Sequence, residues 1–245
     1  GGTVALGQNE SVPHFSMTNG TLLGPGALTI AGTFSWTFGT LATDLRLLAS
    51  GSGTLASSSK TLGPGTTLRL DADTDWTGGQ LVGGAGSTLD NNATLTSTTN
   101  NPLTSSSGAV PRPVFDNGGT FVYDNGSTAS NSFALQSTGT VELRQGISRW
   151  IGGGAGSGTF DVSAGATLDF LSGSFDMAEA AISGAGTVDF SGTATTLGGS
   201  LGGLTGTMVV SGGTVALGQN ESVPHFSMTH GTLQGPGALT LAGPF

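Results

Sequence analysis

The sequence predicts an all-β protein folded as a parallel β-solenoid (β-helix) with coils of about 20 residues. Three observations predict this fold: a segment that returns nearly unchanged 211 residues later, a strand-like phrase that recurs about every 20 residues, and a glycine content of 45 among 245 residues. A solenoid accounts for all three, because it stacks similar coils and turns a corner between strands.

The long repeat joins residues 1–34 to residues 212–245, which are almost the same sequence. They differ only by the exchanges Asn19 to His230, Leu23 to Gln234, Ile30 to Leu241 and Thr33 to Pro244. Near identity at this distance is typical of duplication in a tandem array. We therefore interpret residues 1–211 as one full repeat of a continuous β-solenoid and residues 212–245 as the start of the next.

The short period is carried by a five-residue phrase: small residue, Thr, apolar, variable, apolar. Its threonines are 20, 19, 20 and 20 residues apart in the steps Thr120 to Thr140, Thr140 to Thr159, Thr167 to Thr187 and Thr187 to Thr207. The step of only 8 residues from Thr159 to Thr167 predicts a strand on the next face of the same coil. An antiparallel sandwich also spaces strands by 8 to 12 residues, but has no reason to keep a constant coil length.

The phrase also predicts which side chains are buried, because residues two apart on a strand face the same way. Equivalent apolar residues should stack in the core, in the ladders Leu168, Val188, Met208 and Phe170, Phe190, Val210. The residue between the two apolar positions should face solvent. These residues are Val122, Glu142, Asp161, Asp169, Asp189 and Val209.

Glycine predicts the corners, since positive φ values cost glycine little. The corners expected from Gly-Pro-Gly and from glycine-rich turns are at residues 24–26, 63–65, 235–237, 76–79, 152–154 and 198–199.

Two segments break the rhythm. Residues 98–114 contain three prolines, which lack the N–H that a ladder uses, so we expect a Pro-rich loop excursion there. Residues 100–113 are the first place to seek a ligand, although a surface loop without a partner is the simpler interpretation. The run MAEAAI at residues 177–182 favours one short helical turn.

Composition and charge exclude several partners. The net charge is −9, from 15 acidic and six basic residues, so neither nucleic acid nor an anionic membrane is an expected partner. Apolar residues never run together for the roughly 18 positions of a membrane-spanning helix, which predicts no membrane insertion. With no cysteine there is neither a disulfide nor a thiolate metal site. We expect no cofactor.

The candidate metal ligands are Asp71, Asp73 and Asp75, whose alternation on a strand would place three carboxylates on one side. The run lacks the Gly and Glu of an EF-hand loop, having Trp76 and Val82 at those positions, and the chain lacks the GGxGxD calcium repeat. An exposed, solvated strand edge is the favoured interpretation, so we expect no metal site.

Catalysis is not expected either. His14, His225 and His230 lie near no second histidine in the sequence, and we expect no G-x-S-x-G elbow with acid and base partners for a serine nucleophile. Trp36, Trp76 and Trp150 could line a sugar-binding surface, but at strand positions they more often pack in a core or corner. Glycosylation sequons begin at Asn9, Asn19, Asn92, Asn125 and Asn220.

The phrase GTLLGPGALTI at residues 20–30, with FSWTFGTL and DWTGGQL at residues 34–41 and 75–81, resembles the passenger regions of bacterial autotransporters and filamentous-haemagglutinin-like adhesins. The resemblance covers nearly the whole chain but includes no active-site motif. It implies a secreted or cell-surface right-handed β-solenoid that serves as a stalk, fibre or adhesin.

The sequence therefore predicts a structural element of an extracellular fibre that self-associates head to tail or laterally, and not an enzyme. The alternative is an adhesin that recognises a glycan or a cell surface through a lateral groove or the 98–114 loop.

Overall fold

The computed structural model describes residues 1–243 and confirms the predicted fold class. The chain is all-β and forms a parallel β-solenoid of about 12 turns, with coils about 20 residues apart. Pro244 and Phe245, which belong to the predicted start of the next repeat at residues 212–245, lie outside the described residues. Among residues 1–243 there is no helix that could span a membrane.

The chain divides into two compact units, Gly1–Phe121 and Val122–Phe245. The strands that lie wholly in unit 1 are Thr3–Ala5 (β1), Glu10–Val12 (β2), Phe15–Met17 (β3), Thr21–Leu23 (β4), Leu28–Ile30 (β5), Thr33–Trp36 (β6), Gly39–Ala42 (β7), Leu45–Leu47 (β8), Ser52–Leu55 (β9), Lys60–Leu62 (β10), Thr67–Leu70 (β11), Thr74–Trp76 (β12), Leu81–Gly83 (β13), Thr88–Asn91 (β14), Thr94–Ser97 (β15), Leu103–Ser105 (β16) and Val114–Asn117 (β17). They form the parallel ladders β1-β4-β7-β10-β13-β16, β2-β5-β8-β11-β14-β17 and β3-β6-β9-β12-β15. Each coil therefore contributes one short strand to each of three faces.

Unit 2 follows the same plan. The remaining strands are Thr120–Asn131 (β18), Ala134–Ser137 (β19), Thr140–Trp150 (β20), Gly154–Gly156 (β21), Thr159–Val162 (β22), Thr167–Phe170 (β23), Ser174–Met177 (β24), Ala181–Gly184 (β25), Thr187–Phe190 (β26), Ala194–Leu197 (β27), Ser200–Leu204 (β28), Thr207–Val210 (β29), Thr214–Leu217 (β30), Glu221–Val223 (β31), His225–Met228 (β32), Thr232–Gln234 (β33) and Leu239–Leu241 (β34). Its ladders are β19-β21-β24-β27-β30-β33, β18-β20-β23-β26-β29-β32 and β20-β22-β25-β28, and β31 pairs with β34.

The strand register confirms the predicted period. Thr140 lies opposite Thr159, and Thr167 lies opposite Thr187, which lies opposite Thr207. The step of 8 residues is explained by the long strand β20, because β22 pairs with its first half and β23 with its second half. Two neighbouring faces of one coil thus continue from a single strand.

The predicted core ladders are present. Leu168, Val188 and Met208 stand in register, as do Phe170, Phe190 and Val210, and all six are buried. The rings of Phe170 and Phe190 stack with centroids 5.4 Å apart and planes 12° apart. Burial of each such side chain contributes roughly 1.5–3 kcal/mol, so the ladder is a main source of stability.

Two of the residues that lie between the paired apolar positions, and that were predicted to face solvent, are buried instead: Val122 and Asp169. Asp169 is held between adjacent coils, where its Oδ2 lies 2.6 Å from Arg149 Nε and its Oδ1 accepts a hydrogen bond from the Ser191 hydroxyl. These partners replace water around the carboxylate. Val122 is apolar, and its burial on β18 is favourable in itself.

The predicted loop at residues 98–114 is wrong in its extent. Strand β16 lies inside the segment with Leu103 buried opposite Leu81, and β17 begins at Val114. Pro102 and Pro111 lie outside the strands and use their carbonyls as acceptors, for the N–H groups of Leu81 and Gly86. The excursion therefore shrinks to residues 106–113.

The predicted helical turn at residues 177–182 is also wrong. β24 ends at Met177 and β25 begins at Ala181, so only a tight turn separates them. The Ala180 N–H closes this turn on the Met177 carbonyl at 3.3 Å. Strand pairing on both sides overrides the high helix propensity of the alanines, because propensity is weaker than tertiary context.

Glycine acts at corners in two ways. In the Gly-Pro-Gly corner at residues 63–65, Gly65 has a positive φ of 68°, as predicted. Gly199 has no positive φ, but a Cβ there would lie 1.9 Å from the Ala180 carbonyl oxygen. At that corner the chain needs glycine because successive coils approach too closely for a side chain.

Candidate functional site

The most informative site lies in unit 2, where the second copy of the long repeat begins. We call this place the repeat joint: the coil of residues 194–210 with the coil of residues 214–228 stacked on it. Ala194 is opposite Thr214, and Thr207 is opposite His225, in parallel ladders. Val215, Leu217 and Val223 are buried beneath this contact. The first coil of the repeat is thus shaped to sit on the last coil of the preceding one.

A buried carboxylate completes the repeat joint. Glu221 is only 6% exposed, and its Oε2 accepts the Leu201 N–H at 2.9 Å. The Gln219 side chain donates to Glu221 Oε1 at 2.8 Å and also to the Gly199 carbonyl. The register between β25 and β28 shifts just before this point, so backbone ladder bonds are interrupted there. The carboxylate takes the place of a missing backbone acceptor.

The same segment occurs in unit 1 with its upstream edge exposed. Gln8 donates to Glu10 Oε1 at 3.1 Å, which matches the Gln219–Glu221 bond. Val4 is 58% exposed, whereas its equivalent Val215 is fully buried. Residues 8–10 therefore repeat the local conformation of the joint.

The three candidate metal ligands do not form one site. Asp71 accepts hydrogen bonds from Arg46 Nε at 2.6 Å and from Arg69 Nε at 2.8 Å, and these bonds hold the pKa of Asp71 below its usual value against the opposing effect of desolvation. Asp73 accepts the Thr94 N–H at 3.0 Å, and Asp75 is exposed on β12. Across residues 1–243 no three His, Asp or Glu side chains are grouped to hold a metal.

The three tryptophans lie in the core, which was the favoured alternative. Trp36, Trp76 and Trp150 are at most 1% exposed, so none offers a platform for a sugar ring. Trp76 Nε1 donates to the Gly79 carbonyl at 2.7 Å and so fixes a corner.

The three histidines, for which no catalytic role is expected, have different surroundings. His14 Nδ1 is hydrogen-bonded to the Thr33 hydroxyl at 2.8 Å, and His225 and His230 are exposed. One G-x-S-x-G phrase, which was not expected, does occur at residues 198–202. Its Ser200 begins strand β28 and accepts the Gly202 N–H at 3.2 Å. A strand position lacks the sharp strand-to-helix turn of a nucleophile elbow.

The sequon asparagines all make hydrogen bonds, two between coils and three to close neighbours in the sequence. The strongest pattern is repeated in both copies: Asn9 Oδ1 accepts the Ala27 N–H and Asn220 Oδ1 accepts the Ala238 N–H, each at 2.9 Å. Asn19, Asn92 and Asn125 bond to neighbours one or two residues away. Asn9 and Asn220 thus tie one coil to the next.

Sequence reasoning missed a buried cation, Lys60, which is the chain's only lysine. Its Nζ donates to the carbonyls of Ala56, Ser58 and Gly78 at 2.7–2.9 Å. Burial lowers the pKa of Lys60 to about 8. Its position at the start of a strand phrase, where other coils carry Gly or Leu, was the available signal.

Two places correspond to the predicted binding surfaces. A shallow groove of about 440 Å³ crosses the outer face of β24, β27 and β30, lined by polar side chains that include Asp176, Thr196 and Gln234. The excursion at residues 106–113 presents Val110, which is 83% exposed. Neither place gathers charged groups around a reaction centre.

Comparison with known proteins adds no relative: no protein-family model, no curated protein and no solved structure matches the chain. The β-solenoid implied by the sequence resemblance is present, and membership of the autotransporter or haemagglutinin group has no support from these comparisons.

Proposed function

We propose that the chain is a structural element of an extracellular or cell-surface fibre, built by tandem or head-to-tail stacking of β-solenoid units. The observation that carries the proposal is the repeat joint, in which a copy of the chain's first coil lies in register on residues 194–210. A solenoid coil that accepts the first coil of the next repeat lets units be added end to end. No catalytic activity is part of this proposal.

The local contacts of residues 8–10 support the same role, because the Gln8–Glu10 hydrogen bond matches the Gln219–Glu221 bond of the joint. Low charge, with 15 acidic and six basic residues in 245, also favours close packing between fibres.

The test is assembly of the purified chain, followed by light scattering and negative-stain imaging at rising concentration. We expect filaments or concentration-dependent oligomers. Val4→Asp places a charge on the exposed edge and should prevent assembly, whereas Val110→Asp, on the distant excursion, should not. A chain that stays monomeric and short at high concentration contradicts the proposal. The location is tested separately, by labelling intact source cells with an antibody against the chain.

An adhesin that binds a glycan is the second candidate, favoured by the groove that Asp176, Thr196 and Gln234 line. Such side chains could bond to sugar hydroxyls, although the buried tryptophans provide no stacking surface. A glycan array distinguishes the two: binding that Asp176→Ala and Thr196→Ala remove would favour the adhesin.

A further inference from the structure

A small cavity opens on the surface of unit 1, where the chain turns from β4 to β5, from β7 to β8 and from β10 to β11. These three successive corners contain four, two and four residues: 24–27, 43–44 and 63–66. Because coils stack about 4.8 Å apart, a short corner between two long ones leaves a gap one coil high. The gap is a cavity of about 190 Å³ between Pro25 and Pro64, and we call it the corner notch.

The corner notch holds one carboxylate in a fixed position. Asp44 lines the cavity, and its Oδ1 accepts the Thr67 N–H of the adjacent coil at 2.8 Å. Arg46, the next charged residue along the chain, is paired with Asp71 at 2.6 Å. Among residues 1–243 no cation pairs with Asp44. The notch therefore carries an uncompensated negative charge that a backbone hydrogen bond already orients.

The lining of the corner notch accepts hydrogen bonds more readily than it donates them. Its two prolines have no N–H. The Thr43 hydroxyl donates to the Gly26 carbonyl, and the Gly65 N–H donates to the Ala85 carbonyl at 2.9 Å, so these donors are used within the fold. The Asp44 carboxylate, in contrast, can accept further bonds, because each of its oxygens has two lone pairs. The notch therefore favours a ligand that donates hydrogen bonds and accepts none.

Shape and charge together select the ligand. The two long corners are two coils apart, about 10 Å, and a group between them needs roughly 3.5–4 Å to each wall, so the opening admits one flat group. The guanidinium of arginine is planar and positively charged, with five N–H donors and no acceptor. An ammonium group lacks the plane, and sugar and aromatic rings lack the charge. The net charge of −9 also attracts basic partners.

We propose that the corner notch binds an arginine side chain of a partner protein, with Asp44 accepting hydrogen bonds from the guanidinium and with Pro25 and Pro64 flanking its plane. Oδ1 keeps its bond to the Thr67 N–H while Oδ2 accepts from the ligand. Hydrogen bonds between a guanidinium and a carboxylate are stronger than neutral ones. The proposal goes beyond the fibre, because it gives the side of the solenoid a partner that stacking of units does not need.

Titration of the isotope-labelled full chain, followed by amide chemical shifts in NMR, tests the class of ligand. The probes are Nα-acetylarginine methylamide, its lysine counterpart, and its citrulline counterpart, which keeps the shape of arginine without the charge. The arginine probe should shift the amide signals of Thr43, Asp44 and Thr67 in a saturable manner. The lysine probe should bind at least about threefold more weakly, and the citrulline probe should leave these signals unchanged. Equal responses to arginine and citrulline would overturn the proposal.

Asp44→Asn tests the carboxylate without removing its contact to Thr67, because the amide oxygen still accepts that N–H. This variant should weaken binding of the arginine probe at least about tenfold. Asp73→Asn is the matched control. Asp73 Oδ1 accepts the Thr94 N–H at 3.0 Å in the same way, but Asp73 lies outside the notch, so the variant should bind the probe like the wild type.

Ala42→Leu tests the shape of the notch. Ala42 lines the cavity, and Leu23 occupies the equivalent place on the preceding coil, so a leucine suits the strand and fills the space. The response to the arginine probe should then be lost although Asp44 is intact. Retained binding in Ala42→Leu or in Asp44→Asn would show that the probe binds elsewhere. A stronger response of the same amides to methyl glucoside or to calcium ions than to the arginine probe would likewise prove the proposal wrong.

Discussion

Arg149 Nε lies 2.6 Å from Asp169 Oδ2 on the adjacent coil, and the Asp169 side chain is only 5% exposed. Removing the arginine would leave a buried carboxylate that accepts a hydrogen bond from the Ser191 hydroxyl but has lost its counter-ion. A buried charge that loses its counter-ion is costly, because desolvation is no longer compensated.

Arg149→Ala should therefore lower the free energy of unfolding by about 2–3 kcal/mol, measured by chemical denaturation. Arg144→Ala is the control, since Arg144 is exposed and pairs with Glu142 in solvent, where such pairs contribute little. Asp169→Asn in the Arg149→Ala background should recover part of the loss. Equal effects of the two arginine variants would contradict this account.

Phe190→Asp should unfold the neighbouring coils of unit 2. Phe190 is buried in register with Phe170 and Val210, and a charge there has no partner. We expect loss of the cooperative melting transition in circular dichroism. Phe190→Leu keeps the site apolar and should cost only about 1 kcal/mol. An unchanged melting temperature in the aspartate variant would disprove the ladder.

Stability should depend on pH through Lys60. Its pKa falls from 10.5 in the unfolded chain to about 8 in the folded one, so the unfolded chain binds more protons between these values. Stability should therefore rise by about 2–3 kcal/mol as pH goes from 7 to 10. Lys60→Met should remove the rise, since it cannot titrate.

Above pH 10 the trend should reverse, because burial raises the pKa of Tyr123 from 10 to about 12. The unfolded chain then releases the tyrosine proton first, so stability is lost as pH rises through this window. Tyr123→Phe should remove that loss. Melting temperatures from pH 7 to 12 check both signs, and a steady fall from pH 7 would refute the Lys60 assignment.

Gly199→Ala should destabilise unit 2 by about 1–3 kcal/mol, because its Cβ would collide with the Ala180 carbonyl oxygen. Gly202→Ala, three residues further along in β28, is the matched control: its Cβ would meet nothing nearer than Ser200 Oγ at 3.4 Å. Similar melting temperatures for both variants would show that the corner can widen.

The short period could be predicted from the sequence because the same residue type recurs at equivalent positions: Thr167, Thr187 and Thr207 occupy the same place in three coils. The burial of Asp169 could not, since its partner Arg149 lies 20 residues away and neither residue is unusual in its own strand. The length of the loop at residues 98–114 was overestimated because the prediction rested on the prolines of this segment. It ignored Leu103, the single inward-facing apolar residue, which pairs with the preceding coil.

The sequence predicted the duplication at the repeat joint but not the role of Glu221 in it. The recurrence of residues 1–34 at residues 212–245 predicts that long repeats follow one another along the chain. The role of Glu221 depends on a register shift between β25 and β28, and no local pattern in the sequence reports such a shift.

The equivalence of Thr167, Thr187 and Thr207 also bears on how such genes change. In-frame loss of residues 187–206 would remove one whole turn and set Thr207 directly on Thr167, with the inward ladder intact. Loss of an odd number of residues within a strand would shift its register and turn its apolar side chains toward solvent. Unequal recombination between near-identical copies could therefore lengthen or shorten the protein in complete steps, each of which folds against surfaces that already exist.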